Sequence, residues 1–320
     1  MTDDRPPLIL IRNLDEVVET RQQHARAVAS GSERRLSRGV YLDSTRWNGL
    51  GPRAKYLAFV HGVVETRKSR PVLSHWSAAA VHDLPMVGPW PQRVHVTIPA
   101  ASGGRSGGDV VRHPGRLRDE DVVEIDGLLV TSIARTAVDI GAFRTSMIAA
   151  VSIIDRVLHE APFGGAAPLA QKEALLACWE SMLPFKASRR ALELIRFGER
   201  HSGSPLESAS RVGMWTLGIP RPRLQTAHFD EQGFIGYSDF DWPDFCAIGE
   251  SDGDKKYLDP RFRSGRTADQ VLLDEKKRED RLRAVSRSFA RWGWNDAIHP
   301  TRLAQKLHPL GLPSGKPWPV

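Results

Sequence analysis

The chain has 320 residues, 41% of them hydrophobic and 26% charged, with a net charge of +7. That length provides for two or three domains with a core each, and the basic balance admits a nucleic-acid partner without requiring one. Two cysteines, Cys178 and Cys246, exclude a disulfide framework and a zinc site built from cysteine alone. No apolar run approaches the ~18 residues of a membrane span. MTDDRPPLIL lacks the basic start and long apolar stretch of a signal peptide, so a cytoplasmic location is expected.

After LILI, the segment LDEVVETRQQHARAVAS brings Val17, Val18, His24 and Val28 near one helical face. Gly31 and Ser32 break it, and RRLSRGVYLD predicts a short strand entered through a turn at Gly39. Arg34, Arg35 and Arg38 cluster before that strand. Helix and basic hairpin outline a winged-helix-like unit over residues 1–50, whose helix would enter the major groove while the arginines meet phosphate. The same residues also make an ordinary amphipathic helix and edge strand. Residues 51–160 alternate: LAFVHGVVE reads as a helix, and SHWSAAAVHDLP as a second one capped by Ser74. RVHVTIP has the period of a strand, ASGGRSGGD is a loop, and VVEIDGLLVTS is a hairpin turning at Asp126-Gly127. SIARTAVDIGA and SMIAAVSIIDRVLHEA read as helices, the latter with a core stripe of Met147, Val151, Ile154 and Leu158.

In order and spacing, RRLSRGVYLD, LSHWSAAAVHDLP, RVHVTIP and LLVTSIARTAVDI resemble AbiEi-type proteins, the antitoxin and regulator half of type IV toxin–antitoxin systems. The resemblance covers about residues 8–160. It implies a DNA-binding winged-helix amino end followed by a small mixed α/β domain, and a toxin as a partner.

APFGGAAP marks a linker, and two helices, LAQKEALLACWESML and SRRALELIRFGER, fill residues 161–200. Next comes SGSPLESASRVGMWTLGIP, a helix capped by Ser204 and ended by Gly218 and Pro220. FIGYSDFDW follows as a strand whose alternation sets Asp239 and Asp241 opposite the aromatic Phe240 and Trp242. FCAIGESDGDKKY is a strand ending at Glu250, followed by Asp252, Lys255 and Lys256. Hydrolysis of a phosphodiester needs charge neutralised on the phosphate and a hydroxide delivered at neutral pH. A magnesium (or manganese) ion on two or three carboxylates does both. Asp239 and Glu250 are the candidate ligands, with Glu207 as a third ligand, Asp252 in support, and Lys256 orienting the attacking water. Glu207 also completes a capping box with Ser204. DEKKREDRLR adds a charged helix on which Lys276, Lys277, Arg278 and Arg281 are candidates to cradle a phosphate backbone, or to pair with acids along the helix. WNDAIHP reads as a last strand, and residues 301–320 as a loosely ordered, proline-rich tail.

Over residues 201–297 this pattern resembles the PD-(D/E)XK nuclease superfamily, particularly its very-short-patch-repair-like endonucleases. Asp239 matches the first acid and Glu250 the second, while Asp252 stands where the superfamily pattern has lysine. The resemblance implies a restriction-endonuclease-like domain over residues 201–300, a central mixed sheet flanked by helices, that cleaves double-stranded DNA with magnesium. Metalloprotease, Walker, dinucleotide-binding and nucleophile-elbow motifs are all missing from the sequence. The expected fold class is mixed α and β. Two functions stay open: a magnesium-dependent endonuclease, and a non-catalytic DNA-binding regulator or antitoxin.

Overall fold

The computed structural model describes residues 8–10, 17–99, 106–161, 165, 167–252 and 268–320. Helices and strands are interspersed along the chain, in a mixed α and β fold. The chain divides into two units, residues 1–145 with 172–192, and 146–171 with 193–320. The expected 201–300 segment thus lies inside a larger unit that includes residues 146–171. No described helix is long and apolar enough to cross a membrane.

In the first unit, β1 (Ile9–Leu10) and β2 (Glu33–Ser37) flank β3 (Val40–Asp43), both antiparallel to it. Between β1 and β2 runs α1 (Val17–Ala29). The β2–β3 turn depends on Gly39 at φ +76, a region glycine enters without steric cost. His24 stacks on Tyr41 with centroids 4.8 Å apart and meets Glu33 at 2.6 Å, tying helix to hairpin. Then come α2 (Ser44–Gly49), α3 (Pro52–Glu65), β4 (Val72–Leu73), α4 (His75–Val81), β5 (Val94–Ile98), β6 (Val110–Pro114), β7 (Val122–Ile125), β8 (Leu128–Thr131) and α5 (Ile133–Ala142). Their sheet runs β6-β5-β4-β8-β7. Tyr56, Val60 and Val63 of α3 pack with Val94, Val96 and Val130 of the strands. The β7–β8 hairpin turns as its Asp-Gly pair predicts, with Asp126 and Gly127 both at positive φ. Ser74 stands at the N-cap of α4, but its hydroxyl bonds to the His75 ring and not to the helix backbone. Residues 101–105 of ASGGRSGGD and 162–164 and 166 of APFGGAAP lie outside the described residues.

The second unit opens with α6 (Met147–Leu158), whose Val151, Ile154 and Leu158 are buried as the stripe predicts. The chain returns to the first unit with α7 (Lys172–Ser181), and α8 (Ser188–Phe197) holds residues of both. There follow α9 (Pro205–Thr216), β9 (Arg223–Asp230), β10 (Gly233–Trp242), β11 (Ala247–Ser251), α10 (Ala268–Val285), β12 (Ser288–Trp292), α11 (Trp294–Ala297) and α12 (Pro300–Leu307). The sheet order is β12-β11-β10-β9: an antiparallel meander, then β12 parallel to β11. A parallel neighbour needs a crossover, and α10 supplies it. Phe240, Trp242 and Trp292 share a core with Leu206, Ala209 and Met214 of α9 and Leu303 and Leu307 of α12. Ile235 and Ile248 pack instead with Leu282 of α10.

Two expectations change here, and one further strand is added. WNDAIHP is not a strand: Asp296 accepts the Gly293 N–H at 3.3 Å and starts a helix, while the strand is the preceding SFARW with Trp292 inward. The carboxyl end is not loose either. Leu303, Leu307 and Leu310 are buried, and the Trp215 indole donates to the Trp318 carbonyl at 3.1 Å. RLQTAHFD forms β9, a strand its weak alternation does not announce.

The end of α9 yields a stability prediction. Gly218 takes φ +65, and a Cβ there would lie 1.9 Å from the Gly315 carbonyl oxygen. Gly218→Ala is expected to destabilise the protein by about 2 kcal/mol, from strained backbone plus displacement of the carboxyl strap. Thermal unfolding followed by circular dichroism checks this; an unchanged midpoint contradicts it.

Candidate active site

The β10–β11 register sets Phe240 opposite Gly249 and Asp241 opposite Ile248. One step further along that register, Asp239 neighbours Glu250, and pleating turns both away from the aromatic core. Both are buried, at 8% and 6% exposure. Asp239 Oδ2 accepts the Ser251 N–H at 2.8 Å and its hydroxyl at 2.7 Å. Asp239 Oδ1 accepts the Gln225 amide at 3.3 Å, and the same amide reaches Glu207 at 3.4 Å. Gln225 sits at φ +47, where β9 and β10 skip a pairing between Leu224 and Thr226. That strained backbone aims the amide at both acids.

Glu207 is held at the N-terminal cap of α9. Its carboxylate accepts the Gly203 N–H at 2.9 Å and the Ser204 hydroxyl at 2.8 Å, while its N–H donates to Ser204 at 3.2 Å. Among the described residues no group of three or more His, Cys, Asp or Glu is arranged to hold a metal ion. The arrangement is therefore a carboxylate pair, Asp239 and Glu250, with Glu207 beside it through one amide.

Burial first, and the neighbouring Asp239 second, push the Glu250 carboxyl up to about 7 against the pull of Arg278. Asp241 is also raised, by burial. Arg278 donates to Glu250 at 2.9 Å, to Glu275 at 2.8 Å and to the Tyr237 carbonyl at 3.1 Å. Arg281 pairs with Asp230 at 2.7 Å. These two arginines, read from the sequence as phosphate contacts, instead hold carboxylates of their own unit. Lys276 and Lys277 remain exposed on α10. Asp252 lies 3.8 Å from Arg291, which also pairs with Glu275 and Glu279. Lys255 and Lys256 lie outside the described residues.

Two adjacent buried carboxylates, of which Glu250 alone is paired with the Arg278 guanidinium, make a locally acidic, all-oxygen donor set. Such a set fits a hard divalent cation, which completes its shell with waters and phosphate oxygens. Gln225 and Ser251, which hold Asp239, were not foreseen: the first lies on the unannounced strand, and nothing in the sequence ties the second to a carboxylate. Glu275 and Arg278 have the three-residue spacing of a helical pair.

In the first unit Arg34, Arg35 and Arg38 are all exposed. Arg34 lies over the Trp47 ring at 4.6 Å. Arg35 and Arg38 line a cavity of about 990 Å³ with Arg21, Arg67 and Lys68. No protein-family model matches this sequence, and no curated protein matches it at a significant level.

Proposed function

We propose that this chain acts on DNA, its second unit hydrolysing phosphodiester bonds with magnesium or manganese held by Asp239 and Glu250. The observation that carries this reading is the buried carboxylate pair, in which burial first and Asp239 second push the Glu250 carboxyl up to about 7. When bound, the cation neutralises charge on the phosphate and lowers the pKa of its water. Ser251 and Gln225 fix the Asp239 carboxylate by three hydrogen bonds, so its orientation is set before substrate arrives. Arg278, paired with Glu250 at 2.9 Å, offsets part of the repulsion between Asp239 and Glu250. The acidic pair sits on the face that α10 covers, and the exposed Lys276 and Lys277 of that helix offer phosphate contacts. In the first unit, the arginine-lined cavity beside the β2–β3 hairpin offers a second contact for a DNA backbone, consistent with the AbiEi resemblance.

Incubation of the full chain with supercoiled and linear duplex DNA tests the reading. Cleavage with magnesium or manganese, abolished by EDTA, is expected; no cleavage of DNA or RNA with either ion overturns it. Gln225→Gly relaxes the backbone but deletes the amide, and is expected to slow cleavage about tenfold in a folded protein. An unchanged rate would remove Gln225 from the site.

A second reading, a non-catalytic DNA-binding regulator or antitoxin with a toxin partner, draws on Asp252 in the lysine position and on Arg278 already seated against Glu250. A salt-sensitive gel shift without cleavage favours it. Under either reading, Lys276→Ala with Lys277→Ala is expected to lower the salt dependence of DNA binding by up to about two units of logarithmic slope.

A further inference from the structure

The first unit holds a cavity of about 910 Å³ that the proposed hydrolysis does not use, of a size that accommodates a small molecule. Residues of three segments singled out in the sequence line it: His75 from LSHWSAAAVHDLP, Thr97 from RVHVTIP, and Arg135 and Asp139 from SIARTAVDIGA. His113 of β6 joins them. The His75 and His113 rings stack at 3.7 Å, His113 Nε2 lies 3.0 Å from His95 Nδ1, and Phe143 stands edge-on to all three. Burial pushes all three imidazoles well below their ordinary range. They are neutral at pH 7 and contribute flat ring surface instead of charge. His75 takes φ +50, so its placement costs backbone strain.

Charge comes from elsewhere on the wall. Arg118 and Arg135 bond to Asp121, and Arg190 donates to the backbone carbonyls of Phe143 and Thr145. Arg116, Arg144 and Lys186 are exposed along the same wall and make no ion pair among the described residues. Asp139 is 5% exposed. Its Oδ1 accepts Arg135 at 2.9 Å, while its Oδ2 is buried without a hydrogen-bond partner among the described residues. A buried carboxylate oxygen left in that state costs free energy, which a donor entering the cavity would recover.

We propose that this cavity binds a nucleoside phosphate. The phosphate meets Arg116, Arg144 and Lys186, the base lies against His113 and Phe143, and an N–H or O–H of the base or sugar donates to Asp139 Oδ2. A free phosphate would use only the first of these contacts. A neutral nucleoside would leave the cations unmatched.

Isothermal titration of the full chain with the four ribonucleoside 5′-monophosphates tests this, with inorganic phosphate and the unphosphorylated nucleosides as separate arms. At least one monophosphate is expected to bind at least tenfold more tightly than inorganic phosphate or its own nucleoside. Asp139→Asn, and separately the exposed pair Arg116→Ala with Arg144→Ala, are each expected to weaken that binding at least tenfold. The surface pair keeps the test decisive if the buried variant fails to fold. Inorganic phosphate binding as tightly as the monophosphates overturns the nucleoside assignment. Absence of binding by every probe, or binding unchanged in the surface pair, overturns the site.

Discussion

Glu250→Gln and Asp239→Asn are each expected to reduce metal-stimulated DNA cleavage by roughly 10³-fold or more, with the fold retained. Both substitutions keep the shape of the side chain, so Phe240 and Trp242 stay packed and the β10–β11 register is undisturbed. What they remove is one negative charge each from a pair that sits at 8% and 6% exposure. A cation bound through two carboxylates loses much of its Coulomb attraction when one becomes an amide, and that attraction is strongest in a buried setting. Glu207→Gln is the contrast. Its shorter contacts are those of a helix cap and its bond from Gln225 is long, at 3.4 Å, so a small stability loss and only a modest rate change are expected. Timed cleavage by the four proteins, alongside circular dichroism, decides between a site and a scaffold. Full activity in Glu250→Gln would remove the carboxylate pair from the chemistry.

The second large effect is on stability as pH changes. Glu250 is raised from an ordinary 4.5 to about 7, chiefly by burial and then by Asp239. Between those two values the folded chain keeps a proton that the unfolded chain has released. Protonation therefore favours the fold. This contribution is fully present below pH 4.5, is lost as pH rises through 7, and changes little beyond. Over that window the metal-free protein is expected to lose on the order of 3 kcal/mol relative to Glu250→Gln, which carries no titrating group there. Urea unfolding in EDTA at pH 5, 6, 7 and 8 measures the difference. The comparison with the variant isolates Glu250 from other carboxylates such as Asp139, itself raised to about 6 by burial. Parallel pH profiles for the two proteins would contradict the assignment.

How much of this was legible beforehand follows from the kind of signal each residue left. Ser204, Pro205 and Glu207 announce a helix start because capping is local chemistry. Asp239 and Asp241 alternate with Phe240 and Trp242, and period two alone set the acids away from the aromatic core. Asp126-Gly127 fixed a hairpin through positive φ. The orientation of α10 was not legible: its basic residues occur on every side, so only tertiary packing tells that Arg278 and Arg281 turn to carboxylates while Lys276 and Lys277 stay outside. The burial of the carboxyl end did leave a trace, since Leu303, Leu307 and Leu310 recur at helical spacing, but the prolines around them masked it. Gln225 left none, because its role comes from a skipped strand pairing that no local pattern encodes.

Calorimetric titration of the full chain with manganese at pH 8 addresses the central claim without depending on a DNA sequence. One ion per chain is expected for the native protein, with affinity at least tenfold weaker in Glu250→Gln and in Asp239→Asn and nearly unchanged in Glu207→Gln. No saturable binding, or binding indifferent to both pair variants, would contradict a cation held between β10 and β11.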